Sequence, residues 1–175
     1  MRSRSCTLAV GLADYVLGTV APHDLPALAL RALLEGEESS SLAALAGVSP
    51  ATYDPWEVEE LLSDALRELG TLLPSRDDAV QVIIDDTIDR ALAGEMSPVG
   101  AVSRIVNGAY YASGAAERDS TVAGDSLDLA EIVGLYWAYD EVDQPWSPPA
   151  EELDRDALAA LERLRARHRP TPVCS

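Results

Sequence analysis

The chain contains no lysine and no phenylalanine. All thirteen basic residues are arginines, set against 30 aspartates and glutamates, for a formal charge of −17. A chain this acidic repels nucleic-acid phosphate, so no nucleic-acid partner is expected. Aromatic residues make up 5% of the chain, which leaves the core to Leu, Ala, Val and Ile. Only two cysteines occur, Cys6 and Cys174, one near each end. A single such pair is no disulfide framework and has no metal-ligand spacing; reduced thiols in a cytoplasm are the expectation. The two histidines, His23 and His168, have no Cys or Ser nearby in a recognisable catalytic setting. No glycine-rich phosphate loop follows a strand pattern. No run of about 18 uninterrupted apolar residues occurs, so no transmembrane span and no membrane partner is expected. Arg2, Arg4 and Thr19-Val20-Ala21 imitate the parts of a signal peptide, but Asp14 interrupts the apolar run, and the segment reads as a first helix.

What is present is helical pattern. At 175 residues and 47% apolar content, the chain is long enough for one domain with a sizeable core. Leu- and Ala-rich segments bounded by Ser, Asp and Pro predict an all-α fold. The expected architecture is a single-domain bundle of about seven or eight helices over residues 1–175, with a central antiparallel helical hairpin and a loose tail from about 170. The first helix runs from Thr7 to about Val20, with Leu8, Leu12, Tyr15 and Val16 on one face. The second starts near Asp24 and ends at Gly36. A further helix starts at Asp54, a strong N-cap followed by Pro55, and buries Val58, Leu61, Leu62, Ala65, Leu66 and Leu69 before Gly70.

The central hairpin is read from Ser75 to Val106. Ser75 caps a helix whose apolar face is Val80, Ile83, Ile84, Thr87, Ile88 and Ala91, and Gly94 ends it. Ser97 and Pro98 open the next, with Val99, Val102, Val106, Ala109 and Tyr110 as its stripe. The first of the pair carries Asp85-Asp86-Thr87-Ile88-Asp89, a DDxxD pattern. Asp85 and Asp89 stand one turn apart and would share a hard cation such as Mg2+. Over these five residues the run is similar to the motif with which polyprenyl and terpene synthases hold a Mg2+-bound diphosphate. Those enzymes need a second acidic cluster and basic diphosphate contacts. Asp140-Glu141-Val142-Asp143 is a poor second cluster, and there is no lysine. The run is therefore read as a solvated polar face, with Asp86 at its edge paired to Arg90. Asp85, Asp86 and Asp89 remain the metal candidates, and no cofactor is expected.

Two other segments invite functional readings. Ser41 to Tyr53, SLAALAGVSPATY, resembles part of a helix-turn-helix, with Gly47 at the turn and Val48 at the buried position after it. Asp54-Pro55 then stops any recognition helix after about one turn, and Trp56-Glu57-Val58-Glu59-Glu60 has no base to touch DNA. The plainer reading is a short helix closed by Gly47. Residues 136–146, YWAYDEVDQPW, hold four of the nine aromatic residues in the chain. Trp137, Tyr139, Asp140, Glu141, Asp143 and Trp146 are the candidate partner-binding residues, because an acidic aromatic loop suits an arginine-rich partner. The plainer alternative has Trp137 and Trp146 pinning the loop to the core. The last helix, from about Ala150 to His168, places acids early and Arg163, Arg165, Arg167 and Arg169 late. That order fits dipole complementarity as well as a basic handle.

LAALAGVSP at 42–50, ALRELGTLLPS at 65–75 and ALAGEMSPVGAVSRI at 91–105 lead on to LYWAYDEVD at 135–143. Together they resemble a family of uncharacterised helical proteins of actinobacteria, over about two thirds of the chain. The resemblance implies an intracellular helical domain; with no activity established for that family, it carries over no catalytic or binding residue. The reading that follows is a non-catalytic protein-interaction module of the cytoplasm. It would be an immunity- or inhibitor-like partner of a basic protein such as a nuclease toxin. The alternatives are a Mg2+-dependent enzyme using the DDxxD run on diphosphates, and a helix-turn-helix regulator. The oligomeric state is left open.

Overall fold

The computed structural model describes residues 7–168 other than 50, 52 and 120. Cys6, Cys174, Arg169 and the tail from 170 lie outside the described residues, as does Thr52, where a recognition helix would begin. Among the described residues there are nine α-helices and no strand, as the all-α expectation holds. No described helix is long and apolar enough to cross a membrane. Two compact units are distinguished, Met1–Ala79 and Val80–Pro172.

The first unit contains α1 (Thr7–Leu17), α2 (Leu25–Leu34), α3 (Ser40–Ala46) and α4 (Pro55–Glu68). The shared core is made by Leu8 and Leu12 from α1, Leu28 and Ala32 from α2, Leu42 and Leu45 from α3, and Val58, Leu62 and Ala65 from α4. α1 and α2 approach closely because Gly11 has no side chain: a Cβ there would lie 2.2 Å from Leu28 Cδ1. α1 is shorter than its apolar pattern. Asp14, itself buried, accepts from Thr19 Oγ1 at 2.8 Å. The amides of Thr19 and Val20 turn back to the Asp14 carbonyl, which closes the helix at Leu17. α3 packs between α2 and α4. Its N-terminus is capped from outside, by Glu68 at the end of α4. That carboxylate accepts from Ser39 Oγ (2.6 Å), Ser40 Oγ (3.0 Å), Ser41 N (3.1 Å) and Ser41 Oγ (2.6 Å). The Ser39 side chain also caps the Leu42 amide. Hydrogen bonds from Ser39 and Ser41 hold the Glu68 carboxyl down to about 2.

Between α3 and α4 Ala51 lies in a 3-10 turn, and Pro50 and Thr52 on either side of it lie outside the described residues. Gly47 has φ −83, an ordinary right-handed value, so the turn there does not require glycine. Asp54 caps α4 by accepting from Trp56 N at 3.0 Å.

α5 spans Arg76–Leu92, capped by Ser75, which accepts from Asp78 N at 3.1 Å. The second unit takes it up from Val80. It adds α6 (Pro98–Ile105), a π-helical segment (Val106–Tyr111), α7 (Ala115–Arg118), α8 (Ala130–Asp140) and α9 (Ala150–Arg167). Ser97 caps α6 through Gly100 N. The second arm of the expected hairpin approaches α5 at Gly108, where a Cβ would meet Ile83 Cγ2 at 3.7 Å. Two details differ from the periodic pattern. Val99, expected in the stripe, is 44% exposed, and the buried set is Ala101, Val102, Ile105 and Val106. Val102, Val106, Ala109 and Tyr110 are buried as the stripe predicts, and only Val99, in the first turn of α6, is not. α5 is also buried more completely than one apolar face requires. Val82 and Asp86 join Ile83, Ile84, Thr87 and Ile88 in the interior.

Candidate functional site

The DDxxD aspartates have three different environments. Asp85 is half-buried and accepts from Gln81 Nε2 at 2.9 Å. The same Gln81 amide reaches His168 Nδ1 at the end of α9. Asp86 is 6% exposed; its Oδ2 accepts no hydrogen bond and lies 3.7 Å from Arg90 Nη1. Asp89 Oδ1 lies 2.9 Å from Arg165 Nη2. The picture of a solvated face with Asp86 at its edge is corrected here: Asp86 is buried, and the outer carboxylates are engaged by side chains. A shallow depression lined by Asp85, Ile88, Arg165 and His168 opens beside them. Among the described residues no group of three or more His, Cys, Asp or Glu side chains is gathered as a metal cage.

The arginines of α9 are neither a free handle nor only a response to the helix dipole. Arg163 pairs with Glu131 at the start of α8, with its Nε 3.3 Å from Glu131 Oε2. Arg165 pairs with Asp89, and Arg167 Nε lies 2.8 Å from Asp128 Oδ2. Three successive exposed arginines thus fasten α9 to acids contributed by other elements of its unit. Sequence gives the charges but not the partners, because each pair joins residues 32 or more apart along the chain.

Before α8 the chain makes a tight loop. Asp119 accepts from Gly124 N (2.8 Å) and Ser126 N (3.0 Å). Burial works against ionisation of Asp119, but bonds from Ser126, Tyr110 and Gly124 prevail and hold its carboxyl below the usual range. Gly124 has φ +88, and a Cβ there would lie 2.6 Å from both Ala130 N and Leu129 C. Only glycine fits this position.

The acidic aromatic segment lies at the far end of α8. Trp137 is 52% exposed and Trp146 is 73% exposed, so neither pins the loop to the core; that alternative is corrected. The Trp137 ring stands edge-on to Tyr136, with centroids 5.5 Å apart at 80°. Asp140, Glu141 and Asp143 are exposed. Tyr139 differs from the other candidates: it is half-buried, and its hydroxyl donates to Asp154 Oδ1 at 2.7 Å. Burial and the Asp154 carboxylate push its pKa up. Tyr139 thus ties α8 to α9, and five of the six candidate residues face solvent. After Asp140 the chain proceeds by successive turns, Gln144 N to Glu141 O and Ser147 N to Gln144 O, which carry Trp146 outward.

From Asp119 to Asp154 the sequence has ten acids and no basic residue. α9 neutralises Glu131 and Asp128 among them. Asp140, Glu141, Asp143, Glu151 and Glu152 form no ion pair among the described residues. Asp140 and Glu141 also stand at the C-terminal end of α8, where the helix dipole favours a cation and the last turn has none.

No family model matches the chain, and no solved structure matches it. Part of a DNA mismatch repair protein MutS, from Roseiflexus castenholzii, is 32% identical over 140 residues. The match covers 77% of this chain and 12% of that protein, so the chain spans about an eighth of the relative's length.

Proposed function

We propose that this is a non-catalytic protein-interaction module that acts in the cytoplasm and binds a basic protein through the acidic aromatic segment 136–146. The observation that carries the reading is the pairing of two exposed indoles, Trp137 and Trp146, with carboxylates that no arginine among the described residues neutralises. Trp residues dominate interface energetics when buried by a partner, and unneutralised carboxylates speed and select encounter with a basic surface. An immunity- or inhibitor-like role toward a basic target is the form that fits this surface best.

The likeness to one stretch of a DNA mismatch repair protein supports a module that is combined with other domains in larger proteins. The acidic surface favours contact with a protein in such a setting over contact with DNA. Copurification at low salt tests the reading. A basic protein retained at low salt and released by salt is expected, because exposed charge pairs are screened. Failure to retain any basic protein at low salt would count against it.

A further inference from the structure

The exposed face of α8 carries Glu131, Gly134, Trp137 and Glu141 at helical spacing, with Asp140 beside them. Gly134 is the unexpected member. It lies mid-helix, where glycine is less stable than alanine, and a Cβ there would meet nothing within 4 Å. Among the described residues no packing accounts for it, in contrast to Gly11 and Gly124. It leaves bare backbone one turn before an exposed indole whose ring is already oriented by Tyr136. Three residues further on come two unpaired carboxylates at the negative end of the helix.

Resting on the interaction-module reading, we propose that this face of α8 docks an arginine-bearing segment of the partner. One guanidinium lies over the Trp137 indole with its N–H groups toward Asp140 and Glu141, and the partner backbone passes close over Gly134. Charge complementarity selects a basic occupant. The flat ring and fork-like carboxylates select arginine over lysine, since a planar guanidinium stacks and hydrogen-bonds in two directions while an ammonium is a hydrated point charge.

The test uses the full-length protein and two labelled peptides of equal length, one arginine-rich and one lysine-rich, with binding read by fluorescence anisotropy at low salt. The arginine peptide is expected to bind about tenfold more tightly. Trp137→Ala removes that preference, and Gly134→Gln weakens arginine-peptide binding while leaving the helical circular dichroism intact. Gly134→Ala raises the melting temperature, which keeps the glycine argument testable apart from binding. Equal affinity for both peptides, unaffected by Trp137→Ala but weakened by Asp140→Asn, would overturn the arginine proposal and leave the basic-partner reading standing. Binding of neither peptide would overturn both. Self-association lost in Trp137→Ala would place a second copy on this face and overturn the proposal.

Discussion

Arg165 Nη2 lies 2.9 Å from Asp89 Oδ1, so the last helix is fastened to the aspartate run that the sequence singles out. Both side chains are about half exposed, and such pairs contribute modestly. A double-mutant cycle with Arg165→Ala and Asp89→Ala is expected to give a coupling of about 0.5 kcal/mol. Urea unfolding at low and high salt would measure it, with the smaller value at high salt.

The same pair governs the response to metal. With Asp89 engaged by Arg165, and Asp86 buried beside Arg90, millimolar Mg2+ or Mn2+ is expected to leave the melting temperature unchanged. Asp85→Asn/Asp89→Asn should shift it equally with and without the ion. A metal-dependent rise that the double substitution abolishes would restore the diphosphate-enzyme reading.

Glu68 gives a pH dependence of defined sign. Its carboxyl is held down to about 2 in the folded chain, from an ordinary 4.5, by the serines that open α3. A depressed folded value means that stability is present in full above the unfolded pKa and is lost as pH falls toward about 2. Glu68→Gln should be less stable than the parent at neutral pH. The gap should close as pH falls below about 4.5, as denaturant midpoints across that range would show.

Gly124→Ala is expected to cost at least about 2 kcal/mol, from the left-handed backbone together with contact against the Ala130 amide. Gly94 also has positive φ, but a Cβ there meets nothing within 4 Å, so Gly94→Ala should cost only about 1 kcal/mol. Thermal melts of the two variants would separate the terms.

Where a feature depends on neighbours in the chain, it was legible before the structure. The caps at Ser75, Asp54 and Ser97 and the buried Val58, Leu62, Ala65 and Leu66 of α4 follow from residues within a turn or two of one another. The fate of Asp86 was not legible, because its burial depends on what packs against α5 from outside, and an i,i+4 partner looks the same on a solvated face. Val99 shares the spacing of the buried Val102 and Val106, yet it lies in the first turn of α6 and is exposed, which spacing alone does not reveal. The Glu68 cap and the Arg163, Arg165 and Arg167 pairs bridge residues about 27 to 76 positions apart. Composition marked the acidic aromatic segment correctly as unusual, while the exposure of Trp137 and Trp146 needed coordinates. Gly134 carries no signal in the sequence, since an isolated glycine in a helix acquires meaning only when the space around it is known to be empty.

On the proposed function, the carboxylates beside Trp137 and Trp146 recruit a basic protein. The most direct measurement is affinity capture by the wild-type chain and by Asp140→Asn/Glu141→Gln/Asp143→Asn, each at low and high salt, with folding checked by circular dichroism. A basic protein held by the wild type at low salt, released at high salt and absent from the triple variant is the predicted result. Equal retention by the variant, or no basic protein retained by the wild type, would contradict it.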